Sequence, residues 1–359
     1  MASTKVFVLT EKMTPNGIAF NYPLFVNRQR LADKGVDLSF STRLCDPPPD
    51  TDVLFINSKV LREMWGDGGK KVAEIMKHWR RSVNKVVWFD TTDSTGTPQF
   101  YLLPYLDFYG KAQVLKDKTL YNTKFLGGRI YTDFYAREFG IESDYAKIKH
   151  VVVPLEELAK VNTSWHSGVA DYTFWAYYLN RLRRHLPIPY KYWSKKMSPP
   201  EKERNITVTC RVSTNYTHAA ISFHRKKTVE LLAKYQVPQG KVSRRQYFQE
   251  LQNCKVSVSP FGFGEINLRD CEIIMSGATL FKPDMSHLET FPDLFVPNET
   301  YVPFKWDFSD FEEKLEALLK DKERRIELAR NAQDRYRRLV LEEEGQTLFC
   351  DKIMKIVEH

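Results

Sequence analysis

Between Ser259 and Gly277 the sequence gathers residue types suited to holding a phosphorylated, hydroxyl-rich ligand: Gly262, Phe263, Gly264, Glu265, Asn267, Arg269 and Glu272. Glycine leaves main-chain N–H groups uncovered, so a ligand can come close to the backbone around Phe263. Behind the glycines, Cys271, Ile274 and Met275 recur at helical spacing. A helix starting near Asn267 or Leu268 points its positive end at whatever fills the loop, and a phosphate suits that place. Glu265 and Glu272 lie about two helical turns apart, close enough to line one edge of a pocket, one at a ribose diol and one near a transferred group. On spacing alone, an ordinary Gly-Phe-Gly turn followed by a solvated Glu272 explains the same letters.

These residues need a frame. Val256 to Ser259 is short, β-branched and bounded by Pro260, which reads as a buried strand, and Ala278 to Phe281 reads as another, ended by Pro283. Gly277 stands where a helix C-cap belongs. Strand, glycine loop, helix and strand make half of a doubly wound nucleotide fold. Upstream, Ile206 to Val212 reads as a strand with Arg211 at its carboxyl end, and a helix starting near Ser222 carries His224, Arg225, Lys226 and Lys227 in its first turns. Cations there oppose the helix dipole unless an anion arrives between them. Arg211 and Arg225 are the leading candidates for a diphosphate, since a guanidinium offers two parallel donors; a solvated basic helix start is the competing reading. Arg269 suits a phosphate contact or an ion pair with Glu265 or Asp270 equally well.

The first half repeats the plan. Lys5 to Leu9, Val36 to Ser41, Val53 to Asn57 and Lys85 to Phe89 read as strands, with a turn at Thr14-Pro15-Asn16-Gly17 and helices from Tyr22 to Lys34 and from Lys70 to Arg80. The fourth strand runs straight into Asp90-Thr91-Thr92-Asp93. In parallel sheets ligands sit outside the carboxyl ends of strands, so Asp90 or Asp93 can supply a general base, or both merely cap a turn. Their spacing does not form an Asp-x-Asp metal site.

Phe261, Gly262, Phe263, Gly264, Glu265, Arg269, Glu272, Gly277 and Lys282-Pro283-Asp284 together resemble the donor-site signature of GT-B glycosyltransferases, nearest to the exostosin-like and spore-maturation-type, group 1-like branches. The likeness is close in the C-terminal part of the chain and loose in the first half. It implies an α/β fold of two Rossmann-like lobes facing a central cleft, with the nucleotide sugar on the second lobe and the acceptor on the first. It also implies transfer without a metal or other cofactor, cleft positions for Gly17 and Asn21, and a last helix that crosses back onto the first lobe. Among the site residues, Asp90, Asp93 and Glu265 are then the catalytic candidates. Arg211, Arg225, Gly262, Phe263, Gly264, Glu265, Asn267, Arg269 and Glu272 are the donor-binding ones. One departure bears on stereochemistry: many retaining members carry two glutamates separated by seven residues, whereas six (266–271) separate Glu265 from Glu272.

A chain of 359 residues exceeds what one core usually supports. The expected division is 1–186, 205–340 and a helical tail 341–359, with the linker near 186–204 marked by Pro187, Pro189, Pro199 and Pro200. No apolar run approaches the roughly 20 residues that cross a bilayer, and MASTK leads directly into a strand, so a cytoplasmic protein with at most peripheral membrane contact is expected. The five cysteines, Cys45, Cys210, Cys254, Cys271 and Cys350, form no C-x-x-C pair and read as reduced structural residues. A net charge of +9 favours an anionic partner, which a nucleotide diphosphate sugar is. Basic clusters at Lys77 to Arg81, Arg181 to Arg184 and Lys191 to Lys196 carry no nucleic-acid motif, so no nucleic-acid partner is expected. The expected activity is a hexosyl- or pentosyltransferase acting on a carbohydrate or glycoconjugate acceptor; the alternatives are a nucleotide-sugar epimerase and a non-catalytic glycan- or nucleic-acid-binding protein.

Overall fold

A computed structural model describes residues 3–11, 14–96, 99–141, 150–170 and 197–358, and between these last two stretches residues 179, 182, 183, 186, 188–190 and 192. The first lobe is built on six parallel strands: β1 (Thr4–Leu9), β2 (Val36–Ser41), β3 (Val53–Asn57), β4 (Lys85–Asp90), β5 (Phe108–Lys111) and β7 (Val161–Thr163), in the order β2-β1-β3-β4-β5-β7. Every residue of β3 is buried, as a central strand covered on both faces requires. The second lobe holds four parallel strands, β8 (Ile206–Thr209), β9 (Cys254–Val258), β10 (Thr279–Pro283) and β12 (Val302–Phe304), in the order β12-β10-β9-β8. The chain is therefore α/β with two Rossmann-like lobes. Between the lobes lies a short antiparallel pair, β6 (Gln113–Leu115) from the first and β11 (Leu288–Thr290) from the second.

Buried apolar side chains from both sheets form one continuous cluster. Helix Glu343–Glu358 returns to the first lobe, where its carbonyls at Ile356 and Val357 accept from Lys85 Nζ and its Phe349 ring meets Trp165 edge-on at 5.1 Å. Four of the five cysteines are buried and all are free.

Two expected elements differ. Thr14-Pro15 opens a helix, Pro15–Val26, instead of a turn: Thr14 Oγ1 accepts from the Gly17 N–H at 3.0 Å, and proline at the first helical position lacks only a donor that would be unpaired anyway. The chain breaks at Asn27 before a second short helix, Arg28–Asp33. The strand read through Val212 stops at Thr209, which places Arg211 in the following loop. The basic clusters Arg181 to Arg184 and Lys191 to Lys196 fall largely outside the described residues.

Candidate active site

A cavity of about 500 Å³ opens between the lobes at the carboxyl ends of both sheets, lined on one wall by Arg225, Phe263, Gly264, Asn267, Arg269 and Glu272 and on the other by Asn16, Phe20, Asp90 to Asp93, Gln113 and Ser164 to Ser167. Its second-lobe wall is the signature loop. Helix Leu268–Ser276 begins after Asn267, whose main-chain N–H donates to the Asp270 carboxylate at 2.8 Å, and ends at Gly277, whose left-handed φ of 68° only glycine adopts freely. Asp270 is itself buried, accepting from Ser259 Oγ at 2.5 Å and paired with Lys282 Nζ at 3.1 Å. Lys282 of the Lys-Pro-Asp triplet thus props the loop from beneath. Burial pushes its ammonium below the ordinary lysine value, and the Asp270 carboxylate keeps that cation partnered.

Arg225 projects from helix Ala219–Leu231 and is buried. Its Nε donates to the Phe261 carbonyl at 3.0 Å and Nη1 to the Ser213 carbonyl at 3.1 Å, while its guanidinium lies 4.7 Å from the Tyr216 ring centre. Nη2 has no protein acceptor among the described residues. A Cβ on Gly262 would fall 2.8 Å from that nitrogen and 2.6 Å from Asn267 Oδ1, so this close approach requires glycine. Arg269 is half-buried in the cleft wall and makes no ion pair among the described residues; Asp270 belongs to Lys282, and Glu265 faces elsewhere. Glu272 is buried with Arg244 at 3.7 Å, and burial raises its carboxyl above the ordinary glutamate value. The wall therefore offers two guanidiniums, one carboxylate and a helix N-terminus to a single ligand.

On the first-lobe wall the two aspartates part company. Asp90 ends β4 and is buried; Oδ2 accepts from Lys111 Nζ at 2.5 Å and Tyr109 Oη at 2.8 Å, and Oδ1 from Thr92 N and Oγ1 at 3.0 and 2.6 Å. Burial opposes its charge, yet the Lys111 ammonium and these donors outweigh that and hold the carboxyl below its ordinary value. A carboxylate with every lone pair engaged and a lowered pKa is a poor base, so the catalytic expectation for Asp90 is revised to a structural one. Asp93 is exposed at the cleft and its carboxylate has no partner among the described residues. His166 also lines the cavity, but Nδ1 accepts from Gly168 N at 3.0 Å and Nε2 donates to the Pro292 carbonyl at 2.9 Å. Burial lowers its imidazole to about 4, so it is neutral and fully engaged.

Three further expectations are corrected. Arg211 is absent from the cavity wall: Glu250 takes its guanidinium in a two-pronged pair, with Nη2 at 2.6 Å, and Nη1 donates to the Gln239 and Gly240 carbonyls at 2.9 Å. Glu265 is fully buried and turned toward the other lobe, accepting from Thr95 Oγ1 at 2.5 Å, Thr95 N at 3.2 Å and Gln113 Nε2 at 3.0 Å. It ties the lobes and touches no ligand space. The retaining pattern, with seven residues between its glutamates, would put the first of them at Gly264, where a Cβ would fall 1.5 Å from the Asp93 carbonyl oxygen, so main chain occupies that space. Gly17 and Asn21 lie within their helix, and its cleft residues are Asn16, Ala19 and Phe20. Tyr216 and Gln113 went unrecognised; both sit in stretches whose only local signal is polarity. Among the described residues no group of three or more His, Cys, Asp or Glu side chains converges as metal ligands do, and no helix is long and apolar enough to cross a membrane.

Residues 198–341, the second lobe and the turn that follows it, match the family described as Glycosyl transferase-like. No curated protein matches the chain. Similar solved structures include an alpha-glucosyltransferase in complex with UDP and a 13-mer DNA, at 9% identity and TM-score 0.44 with all of both chains covered. An alpha1,3-fucosyltransferase follows at 12% identity and TM-score 0.45, covering 100% of this chain and 91% of that one. The Anabaena protein HepE in complex with UDP is similar at 10% identity and TM-score 0.44, with 99% and 100% covered.

Proposed function

Because the half of the cleft that gathers the guanidiniums is the half that matches a glycosyl transferase-like family, we propose that the chain transfers a sugar from a nucleotide diphosphate sugar to a carbohydrate hydroxyl. The donor lobe is 205–340, the acceptor lobe 1–186, and the tail 341–359 returns to the acceptor lobe. Arg225 Nη2, Arg269 and the N–H groups at the start of helix Leu268–Ser276 hold the diphosphate. Glu272 accepts hydroxyls of the ribose. Asp93 takes the proton of the acceptor hydroxyl as its oxygen bonds to the anomeric carbon. The bond from that carbon to the phosphate oxygen breaks, its electron pair leaves with the nucleoside diphosphate, and the two guanidiniums stabilise the charge gathering there, the largest electrostatic demand of the step. The reaction so drawn uses no metal ion, and it runs in the cytosol on a glycan or glycoconjugate.

One observation carries this reading: two guanidiniums free of carboxylates meet Glu272 at a helix N-terminus inside a cleft between two lobes. A thermal-shift screen of UDP-, GDP-, dTDP- and CMP-sugars, followed by nucleoside diphosphate release with glycan acceptors in the presence of chelator, tests it. Stabilisation by one class and chelator-resistant release are expected. Conversion of the donor without an acceptor would indicate an epimerase, and tight binding without release would indicate a binding protein.

A further inference from the structure

Gln113 is where the two walls of the cleft are joined. It opens β6, the strand that pairs with β11 of the other lobe, and its side chain is buried at 2% exposure. Nε2 donates to the Asp93 carbonyl at 2.8 Å and to Glu265 Oε2 at 3.0 Å, while Oε1 accepts from the Ile266 N–H at 3.2 Å. One amide therefore binds the main chain of the exposed aspartate on the first lobe and both residues that close the signature loop on the second. Only a primary amide of this length supplies two donors and an acceptor at once. The contact it fixes has no slack, since Gly264 meets the Asp93 carbonyl with no room for a Cβ.

We infer that Gln113 is a positioning residue that sets the distance between the acceptor base, Asp93, and the donor bound at the signature loop; this rests on the function proposed above. It touches neither reacting atom. Its part is to hold Asp93 at one reach from the anomeric carbon, where a displacement of about 1 Å costs on the order of a hundredfold in rate. A merely structural glutamine would affect stability, nucleotide affinity and kcat together.

Gln113→Glu separates the two. The new carboxylate would face Glu265 at hydrogen-bond distance; the charged and titratable groups around the pair are Asp93, Asp90 and Lys111 on the first lobe and, on the second, Lys282 and His287, both of which feel the Glu265 charge. Like charge raises one carboxyl pKa of the pair, so the two share a proton at low pH and repel at high pH. At about pH 8 the variant should lose about a hundredfold in transfer kcat with its nucleoside diphosphate affinity kept within a few-fold, and the deficit should shrink toward about pH 5. Adding Glu265→Gln removes the like charge at every pH but returns no donor to the Asp93 carbonyl, so it should abolish the pH dependence and leave most of the loss in kcat. Hydrogen exchange, which needs no activity, should show residues 92–96 and 262–266 both exchanging faster in Gln113→Glu at pH 8, with 262–266 protected again in the double variant and 92–96 still fast. The inference is overturned if only one segment responds in Gln113→Glu, if the double variant recovers full kcat without a donor to Asp93, or if affinity and kcat fall together at every pH. Absence of nucleotide binding by the wild-type chain would sink the functional reading alone, and the exchange result would still decide whether Gln113 joins the two loops.

Discussion

A guanidinium serves a ligand only if no carboxylate has claimed it, and the arginines near the signature loop divide on that point. Glu250 engages Arg211 with both oxygens, whereas Arg225 is held by carbonyls that leave one edge toward the cleft. Arg225→Ala and Arg269→Ala should each weaken nucleoside diphosphate binding about ten- to a hundredfold by calorimetry, the worth of one charge-assisted contact. Arg211→Ala should leave affinity unchanged and lower the melting temperature. Glu272 yields a prediction of opposite sign in stability and function. Its folded-state pKa is raised, chiefly by burial, so between its ordinary and raised values the folded chain binds more protons than the unfolded one, and stability falls as pH rises through that window. Glu272→Gln should therefore melt higher than wild type at neutral pH, lose that advantage in acid, and bind nucleotide more weakly; equal melting at both pH values would remove burial as the cause. Arg225, Arg269 and Glu272, singled out in the sequence, all lie on the cleft wall, because helix spacing fixes their direction. The sequence could not separate Glu272 from Glu265, or Asp93 from Asp90, because direction within a loop or at a strand end depends on partners such as Thr95 and Lys111 that lie far away in sequence.

At the scale of elements, the strand, loop and helix from Cys254 to Ser276 act together to present uncovered main chain to the cleft, at the end of a helix whose anchoring pair, Asp270 and Lys282, is sealed underneath. Gly264→Ala tests the loop, since its methyl cannot coexist with the Asp93 carbonyl at 1.5 Å; transfer should fall steeply, with the 92–96 and 262–266 segments loosening in hydrogen exchange. Gly277→Ala tests the helix end. A side chain there meets a left-handed backbone and the Ser198 carbonyl at 2.3 Å, so a loss of about 1 to 3 kcal/mol in denaturant unfolding is expected. Gly277 was legible as a cap because glycine after a periodic stretch has few other reasons to be there. The pair β6 and β11 was not, since strands of three residues carry no period to read, and Thr14-Pro15 was mistaken for a turn because its letters serve a helix start equally well.

For the whole molecule, two lobes followed from chain length and the repeated βα plan, while the stitching between them rests on contacts that no local pattern announces. Besides Gln113 and the β6–β11 pair, Tyr131 Oη donates to the Gly262 and Phe263 carbonyls at 2.8 and 3.0 Å, and the Arg129 guanidinium sits 3.8 Å from the Phe263 ring centre. Tyr336 Oη donates to the Gly168 carbonyl at 2.7 Å, and His166 reaches Pro292 across the same junction. Such stitching predicts one unfolding transition for both lobes. It also predicts acid sensitivity at the junction: burial holds His166 at about 4, so below its unfolded value of about 6.5 the unfolded chain binds the extra proton. Stability on the order of 3 kcal/mol should be lost as pH falls from about 6.5 to about 4, and His166→Gln should remove that part of the slope in denaturant titrations. The most direct test of the central claim is a crystal structure with a nucleoside diphosphate bound. The phosphates should bridge Arg225 and Arg269 at the start of helix Leu268–Ser276, with the ribose beside Glu272. Phosphates seated on Arg211, or a nucleotide lodged on the first lobe, would contradict the account.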